Sequence, residues 1–378
     1  MAPVRIKYVF GVVLVVIIGT VGAVNLPKLL RTQQDKSPAK PGPVADVEHY
    51  ALSDAPAPVR VNARDLRGTV VTAHLECAIA GDKNVLWCAT FQIAWNELCD
   101  LLGGPVQCPA TQEMADALNK KAVTLTDVDE ASCVAMAGYP TGGPDDILNR
   151  ITAALKDKFG GPARPELLPS RQSVPRDAWI AYAYLFKQLP FEWAFERMQH
   201  WGLTFAGRRV ESFGISQLYR GQMNEVKAAS QVLIYDYKDD GDFIIELKTR
   251  SKADRLILAK IRPVGTLSAT IHAVQQRRAS STPHNMVEMS SLLVPVLDFD
   301  VVRHYDELSA VDTALQQIRF KLDETGAVLK SEAVSVKARS EELIFDRPFL
   351  VMIQKADSQN PYFALWVANA ELLVPFRE

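Results

Sequence analysis

The segment QIRFKLDETGAVLKSEAVSVKARSEELIFDRPFLVMI, residues 317–353, carries the strongest structural signal in the chain. It begins as a half-buried strand, because Ile318, Phe320 and Leu322 alternate with charged residues. An acidic pair and a glycine end this strand, and the next eighteen residues contain neither proline nor glycine. The continuous apolar run at 350–353 then predicts a buried strand. A long segment without turn chemistry therefore joins two predicted strands.

This order of parts resembles the carboxyl end of the serpins, in which a reactive-centre loop lies between a hinge and a Phe-x-x-Pro-Phe motif. The motif is Phe345-Asp-Arg-Pro-Phe in this chain. Further segments similar to serpin sequences occur at 84–104, 181–195, 209–247 and 290–308. The resemblance covers roughly residues 62–378. It implies an α+β fold with a large mixed, mostly antiparallel sheet, N-terminal helices against it and a C-terminal β-rich half.

The amino-terminal end contains a long apolar run. Residues 8–26 carry no charge, and basic residues lie on both sides. A helix of this length can span a bilayer, and a small-residue site at 21–23 is also compatible with a cleaved signal peptide. We expect a retained anchor, hence a single-pass membrane protein with an extracytoplasmic globular domain. A cleaved and secreted protein is the alternative.

Composition divides the chain into four parts. The segment after the apolar run is polar and rich in proline and alanine, which is typical of an exposed spacer. The rest is long enough to bury a large core, since 48% of the chain is hydrophobic. We predict a short tail at 1–7, a transmembrane helix or uncleaved signal anchor at 8–26, a linker at 27–61, and a serpin-like domain at 62–378 whose reactive-centre-like loop is 327–344.

The chemistry of the sequence excludes several functions. The formal net charge is −2, which does not indicate a nucleic-acid partner. The sequence has no phosphate-binding glycine loop, no Gly-x-Ser-x-Gly motif and no metal-ligand spacing, so we predict no enzyme, no cofactor and no metal site. The basic cluster at 275–278 is interpreted as a solvated loop.

Five cysteines lie in the N-terminal half, at positions 77, 88, 99, 108 and 133. If the domain is exported, two disulfides and one free thiol are possible, with a connectivity that the sequence does not reveal. The simpler interpretation is that they are small buried side chains, with one bridge at most.

The resemblance implies a mechanism of protease inhibition that depends on the sequence of the loop. In an inhibitory serpin, cleavage lets the hinge enter the main sheet as a new strand. If Gly326 is the hinge glycine, every second residue from Ala327 to Ser335 faces the buried side of the sheet. Leu329 is the one large side chain in that row, and overpacking costs about 1–3 kcal/mol. The predicted hinge residues are Glu324, Gly326, Ala327 and Leu329.

Two counts place the scissile residue differently. Counting from the hinge glycine gives Ser340, whereas counting back from Phe345 gives Lys337. Lys337 and Arg339 indicate a trypsin-like serine protease as the possible partner. The large side chain of Leu329 in the inward row would slow insertion of the loop. It therefore favours a non-inhibitory binding or scaffold module, held at the membrane by the N-terminal helix. The alternative is a suicide-substrate inhibitor that acts by loop insertion.

Overall fold

The computed structural model describes most of the chain. The described residues are 10–20, 59–160, 168–169, 171–175, 178–198, 200, 202–218, 223–308, 313–325 and 341–377.

Five α-helices occur among these residues. They are α1 (Thr90–Leu102), α2 (Gln112–Asn119), α3 (Ile147–Phe159), α4 (Met223–Ser230) and α5 (Leu267–Ala279).

Most of the twenty described strands lie in the C-terminal half of the chain. In chain order they are β1 (Phe10–Thr20), β2 (Arg60–Asn62), β3 (Thr69–Thr72), β4 (Asn84–Cys88), β5 (Cys133–Gly138), β6 (Ala178–Gln188), β7 (Glu196–Arg197), β8 (Leu203–Phe205), β9 (Arg208–Val210), β10 (Ser212–Ile215), β11 (Val232–Asp239), β12 (Asp242–Leu247), β13 (Asp254–Lys260), β14 (His284–Asn285), β15 (Ser291–Pro295), β16 (Leu297–His304), β17 (Thr313–Leu322), β18 (Glu342–Ile344), β19 (Phe349–Lys355) and β20 (Pro361–Val367).

Two large sheets organise the fold. One has six strands in the order β2-β16-β17-β1-β6-β5, and the other has eight in the order β14-β11-β12-β13-β19-β20-β4-β3. A four-stranded sheet, β18-β15-β10-β7, and a two-stranded sheet, β8-β9, complete the set. Pairing is antiparallel except between β2 and β16, β3 and β4, and β15 and β18. The predicted large, mixed and mostly antiparallel sheet is confirmed, although it is divided between two sheets.

The buried strands follow from their sequences. All seven residues of β20 and six of the seven in β19 are buried, and both strands lie inside the eight-stranded sheet. Strands covered on both faces read as continuous apolar runs rather than alternating ones. The buried strand predicted at 350–353 is therefore confirmed. In β17, Ile318, Phe320 and Leu322 are buried, which confirms the alternating pattern.

Helices pack on the six-stranded sheet. α1 lies against β1, β5 and β6, and most of its side chains are buried. Its end is set by Gly103, whose φ of 73° is a left-handed conformation that glycine adopts without strain. α3 buries Ile147, Ile151 and Leu155, which share one helix face at four-residue spacing, against β-strand side chains that include Tyr182. The buried helix predicted within 84–104 is confirmed.

The N-terminal apolar run differs from the prediction. A helix was expected at 8–26, but the structure places Phe10–Thr20 in β1, in the middle of the six-stranded sheet. Among the described residues, no helix has both the length and the apolar character needed to cross a membrane. Residues 1–7 and the linker as far as residue 58 lie outside the described ranges. Membrane attachment and an extracytoplasmic location stay predictions.

Two smaller expectations are corrected. All five cysteines are free thiols, four of them buried, so the two-disulfide alternative is wrong and the small buried side chain is the better interpretation. The basic cluster at 275–278 lies on α5 rather than in a loop. Arg277 pairs with Asp236 and Asp242 there, because the helix packs on β11.

Candidate functional site

The site that the sequence singles out begins where β17 ends. β17 is paired on both of its edges, to β16 on one side and to β1 on the other. β1 runs antiparallel to β17 and also antiparallel to β6. β6 and β17 are therefore parallel to each other, with β1 as the single strand between them. We call this position, bounded by β6 and β17, the slot.

The pairing of β1 in the slot is extensive. Eleven residue pairs join it to β6 and eight join it to β17. Gly11 lies in register with Lys187 of β6 and Phe320 of β17. Adjacent strands lie about 4.8 Å apart, so β6 and β17 are separated by about 10 Å, too far to pair with each other directly. A strand in this place is required if both edges are to be satisfied.

The chain beyond β17 is held in place up to Thr325. The Asp323 carboxylate is buried, accepts hydrogen bonds from the backbone N–H and hydroxyl of Thr325, and pairs with Lys321 at 2.7 Å. The backbone carbonyls of Glu324 and Thr325 accept hydrogen bonds from the N–H groups of Phe195 and Phe191, respectively. The predicted hinge therefore starts from a fixed segment.

A side-chain clamp reinforces this attachment. Arg197 of β7 donates to the Glu324 carboxylate at 2.5 Å and also pairs with Glu211. Burial opposes the charge of Arg197, but the two carboxylates raise the pKa of Arg197 above its ordinary value. Glu324 is thus the one predicted hinge residue that the structure describes, and its carboxylate is paired with Arg197. Gly326, Ala327 and Leu329 lie outside the described residues, as do Lys337, Arg339 and Ser340.

The chain is fixed again after the loop. β18 pairs in parallel with β15, so the segment that starts from the six-stranded sheet returns in the four-stranded one. Phe345 and Phe349 of the Phe-x-x-Pro-Phe motif are fully buried, with ring centroids 5.0 Å apart. Between them, Asp346 pairs with the buried Lys260 at 2.6 Å. These contacts give the motif its physical role, which is to anchor the return of the chain.

Buried polar groups support both walls of the slot. In β17, Gln316 donates to the backbone carbonyl of Cys88 and accepts from the Tyr305 hydroxyl, while Gln317 donates to Asp300 at 2.5 Å. Satisfied networks of this kind fix one arrangement of neighbouring strands, since each lost partner leaves a buried polar group unpaired.

The other wall has a buried ion pair. Lys187 of β6 lies 2.9 Å from a carboxylate oxygen of Asp254 and 2.9 Å from one of Asp129. The hydroxyls of Ser251 and Tyr362 also donate to Asp254. The walls of the slot are therefore built from groups that are distant in sequence.

A cavity of about 580 Å³ lies beside the hinge. Trp193, Phe195 and Ile215 supply much of its apolar lining, and Glu196 and Glu225 supply carboxylates. Burial raises the pKa of Glu225, and the neighbouring Glu196 raises it further.

Sequence reasoning missed β1 and the arginine clamp. One signal for β1 was present, because seven of its eleven residues are β-branched, a composition typical of strands. The clamp had no local signal, since Arg197 and Glu324 are 127 residues apart. Within the described ranges, no group of three or more histidine, cysteine or acidic side chains is placed to hold a metal ion.

Comparison with known proteins gives a limited result. The structure is similar to a crystal structure of human thyroxine-binding globulin, with a TM-score of 0.43, 11% sequence identity, and coverage of 77% of this chain and 93% of that chain. No family model and no curated protein matches the sequence. A likeness of this size carries no argument about function.

Proposed function

We propose that this chain is a serpin-fold protein that acts as a non-inhibitory binding or scaffold module. The observation that carries the proposal is the occupied slot. A loop that follows β17 and inserts as a strand must lie beside β17, but both edges of β17 are already paired. Insertion therefore requires the loss of eight residue pairs to β1 before any pair is gained.

The hinge contacts support the same conclusion. A strand that inserts starts at its hinge, so Glu324 and Thr325 would have to leave the carbonyl contacts with the 191–195 segment. The Arg197 clamp opposes that movement, because hydrogen bonds to charged groups contribute about 1.5–3 kcal/mol each. Trapping of a protease is a race between insertion and hydrolysis. A slower insertion turns the loop into an ordinary substrate.

Incubation of the folded protein with trypsin tests the proposal. We expect cleavage near Lys337 or Arg339, no complex that survives a denaturing gel, and a thermal midpoint that the cut leaves unchanged. The matched control is Lys337→Gln/Arg339→Gln, which removes the two predicted trypsin sites. A stable complex with the protease, or a sharp rise in the midpoint after cleavage, would establish the suicide-substrate inhibitor instead.

The Leu329→Ala variant separates the two functions further. If the loop inserts, removing the one large side chain of the inward row accelerates insertion and increases complex formation. If β1 keeps the slot, the variant and the parent protein give the same cleavage pattern and the same midpoint.

Membrane attachment through residues 8–26 is a second part of the proposal. Its support is a run of nineteen uncharged residues with basic residues on both sides. Fractionation with a carbonate wash tests it, and a soluble protein that begins after residue 23 would show a cleaved signal. A membrane helix and β1 use the same residues, so a single molecule has one or the other at any moment.

A further inference from the structure

Residues 10–20 satisfy the requirements of two incompatible structures. As β1 they pair with a strand on each side, and their β-branched composition suits that conformation. As part of the uncharged run 8–26 they suit a bilayer, because nineteen helical residues extend about 28 Å and the hydrocarbon core is about 30 Å thick. In the sheet, residues 11–18 are paired on both sides, and in a helix the backbone groups pair within the segment.

The connection to the rest of the domain permits both. β1 ends at Thr20, and the next described residue is Val59, so thirty-eight residues (21–58) separate them. A chain of that number can extend well over 100 Å. Departure of β1 from the slot therefore does not require any other strand of the six-stranded sheet to move with it.

We infer that residues 10–20 exchange between the slot and a lipid bilayer, so that insertion of the N-terminal segment into a membrane opens the slot. The inference rests on the proposed membrane attachment, and it limits the argument from the occupied slot to the form of the protein that is not inserted in a membrane. The partner is the hydrocarbon core of a bilayer, which accepts an uncharged segment of this length. Departure of β1 removes the strand with which the facing edges of β6 and β17 are paired. The membrane-bound form then presents a strand-accepting site that the free form lacks.

Hydrogen exchange on the full-length protein tests this directly, with vesicles of phosphatidylcholine and phosphatidylglycerol. Without vesicles, we expect slow exchange of backbone amides in β1, β6 and β17, because all three are paired in the sheet. With vesicles, amides of β6 and β17 that face the slot should exchange about tenfold faster or more, while residues 10–20 stay protected as a membrane helix. Flotation of the vesicles on a density gradient measures membrane attachment in the same samples.

A double variant supplies the matched control. Val21→Lys/Val24→Lys shortens the uncharged run to residues 8–20, which is too short for a spanning helix of about 17–25 residues, and leaves β1 unchanged. Its β6 and β17 amides should stay protected when vesicles are added. Val21→Ala/Val24→Ala keeps the run uncharged and should behave as the parent chain does.

The outcomes separate the inference from the attachment on which it rests. If the protein floats with the vesicles but β6 and β17 remain protected, the inference is wrong and the attachment stands. If it does not float, both are wrong. If residues 10–20 exchange freely without lipid, the segment does not occupy the slot and the inference is again wrong.

Discussion

Replacement of Lys187 by methionine tests how the wall of the slot is held. Methionine keeps most of the apolar stem and removes the ammonium group. Lys187 is 10% exposed in its side chain, and the Asp254 carboxylate that it contacts is fully buried. Removal of one partner of a buried pair costs about 3–5 kcal/mol, because the remaining charge has no counterion. The Ser251 and Tyr362 hydroxyls still donate to Asp254, so we expect the lower end, about 3 kcal/mol.

Urea unfolding of matched variants provides the measurement. Lys121→Met is the control, because Lys121 pairs with Asp100 at 2.5 Å with both side chains exposed, and such a pair contributes about 0–1 kcal/mol. Lys187→Met/Asp254→Asn should recover part of the loss, since no buried charge is then left unpaired. A Lys187→Met protein within about 1 kcal/mol of the parent would refute the argument that this pair is desolvated.

The pH dependence gives an independent check of the same contacts. Burial opposes ionisation of Asp129, but Lys187 and neighbouring hydrogen bonds lower the pKa of Asp129 below its ordinary 3.8. A lowered pKa in the folded state stabilises the protein above the unfolded value, and this contribution is lost as the pH falls through the folded pKa. The stability difference between the parent and Lys187→Met should therefore narrow below about pH 3.8.

Three further outcomes are expected. Gly214→Ala should lower the free energy of unfolding in urea by about 3 kcal/mol or more, because a Cβ there overlaps the Leu292 carbonyl and φ is 150°. Its control is Gly104→Ala, where a Cβ would lie in open space, and the free energy of unfolding should change by no more than about 0.5 kcal/mol. Arg197→Ala should speed amide exchange at residues 323–325, since the clamp is lost; equal exchange in both proteins would contradict its role. A maleimide should label Cys77 before the four buried cysteines, and a reducing agent should leave the thermal midpoint unchanged; labelling of a buried thiol first would contradict the described packing.

The sequence predicted those elements whose signal is local. β17 and β19 were recognised because alternation and continuous apolar runs report burial directly. β1 was not recognised as a strand, because a run of β-branched apolar residues suits a membrane helix and the interior of a sheet equally well. Its two partner strands begin at residues 178 and 313, and the sequence of residues 10–20 alone does not indicate pairing with strands so distant in the chain.

The same reasoning applies to the site. The hinge acid Glu324 was predicted from the resemblance of its segment to a serpin hinge, but its partner Arg197 lies on a two-residue strand of another sheet. The basic cluster at 275–278 was placed in a loop because it lies in a polar stretch of the sequence. In the structure, Arg277 and Arg278 form ion pairs with acidic side chains of β11 and β12.

The anchoring of the chain on both sides of the loop has a consequence for the cleaved protein. A cut near Lys337 releases no piece, because the short C-terminal fragment contains β18, β19 and β20. β19 and β20 lie between β13 and β4, inside the eight-stranded sheet. The nicked molecule is thus a two-chain protein whose halves share one core. It should elute intact from gel filtration and separate only when it is denatured.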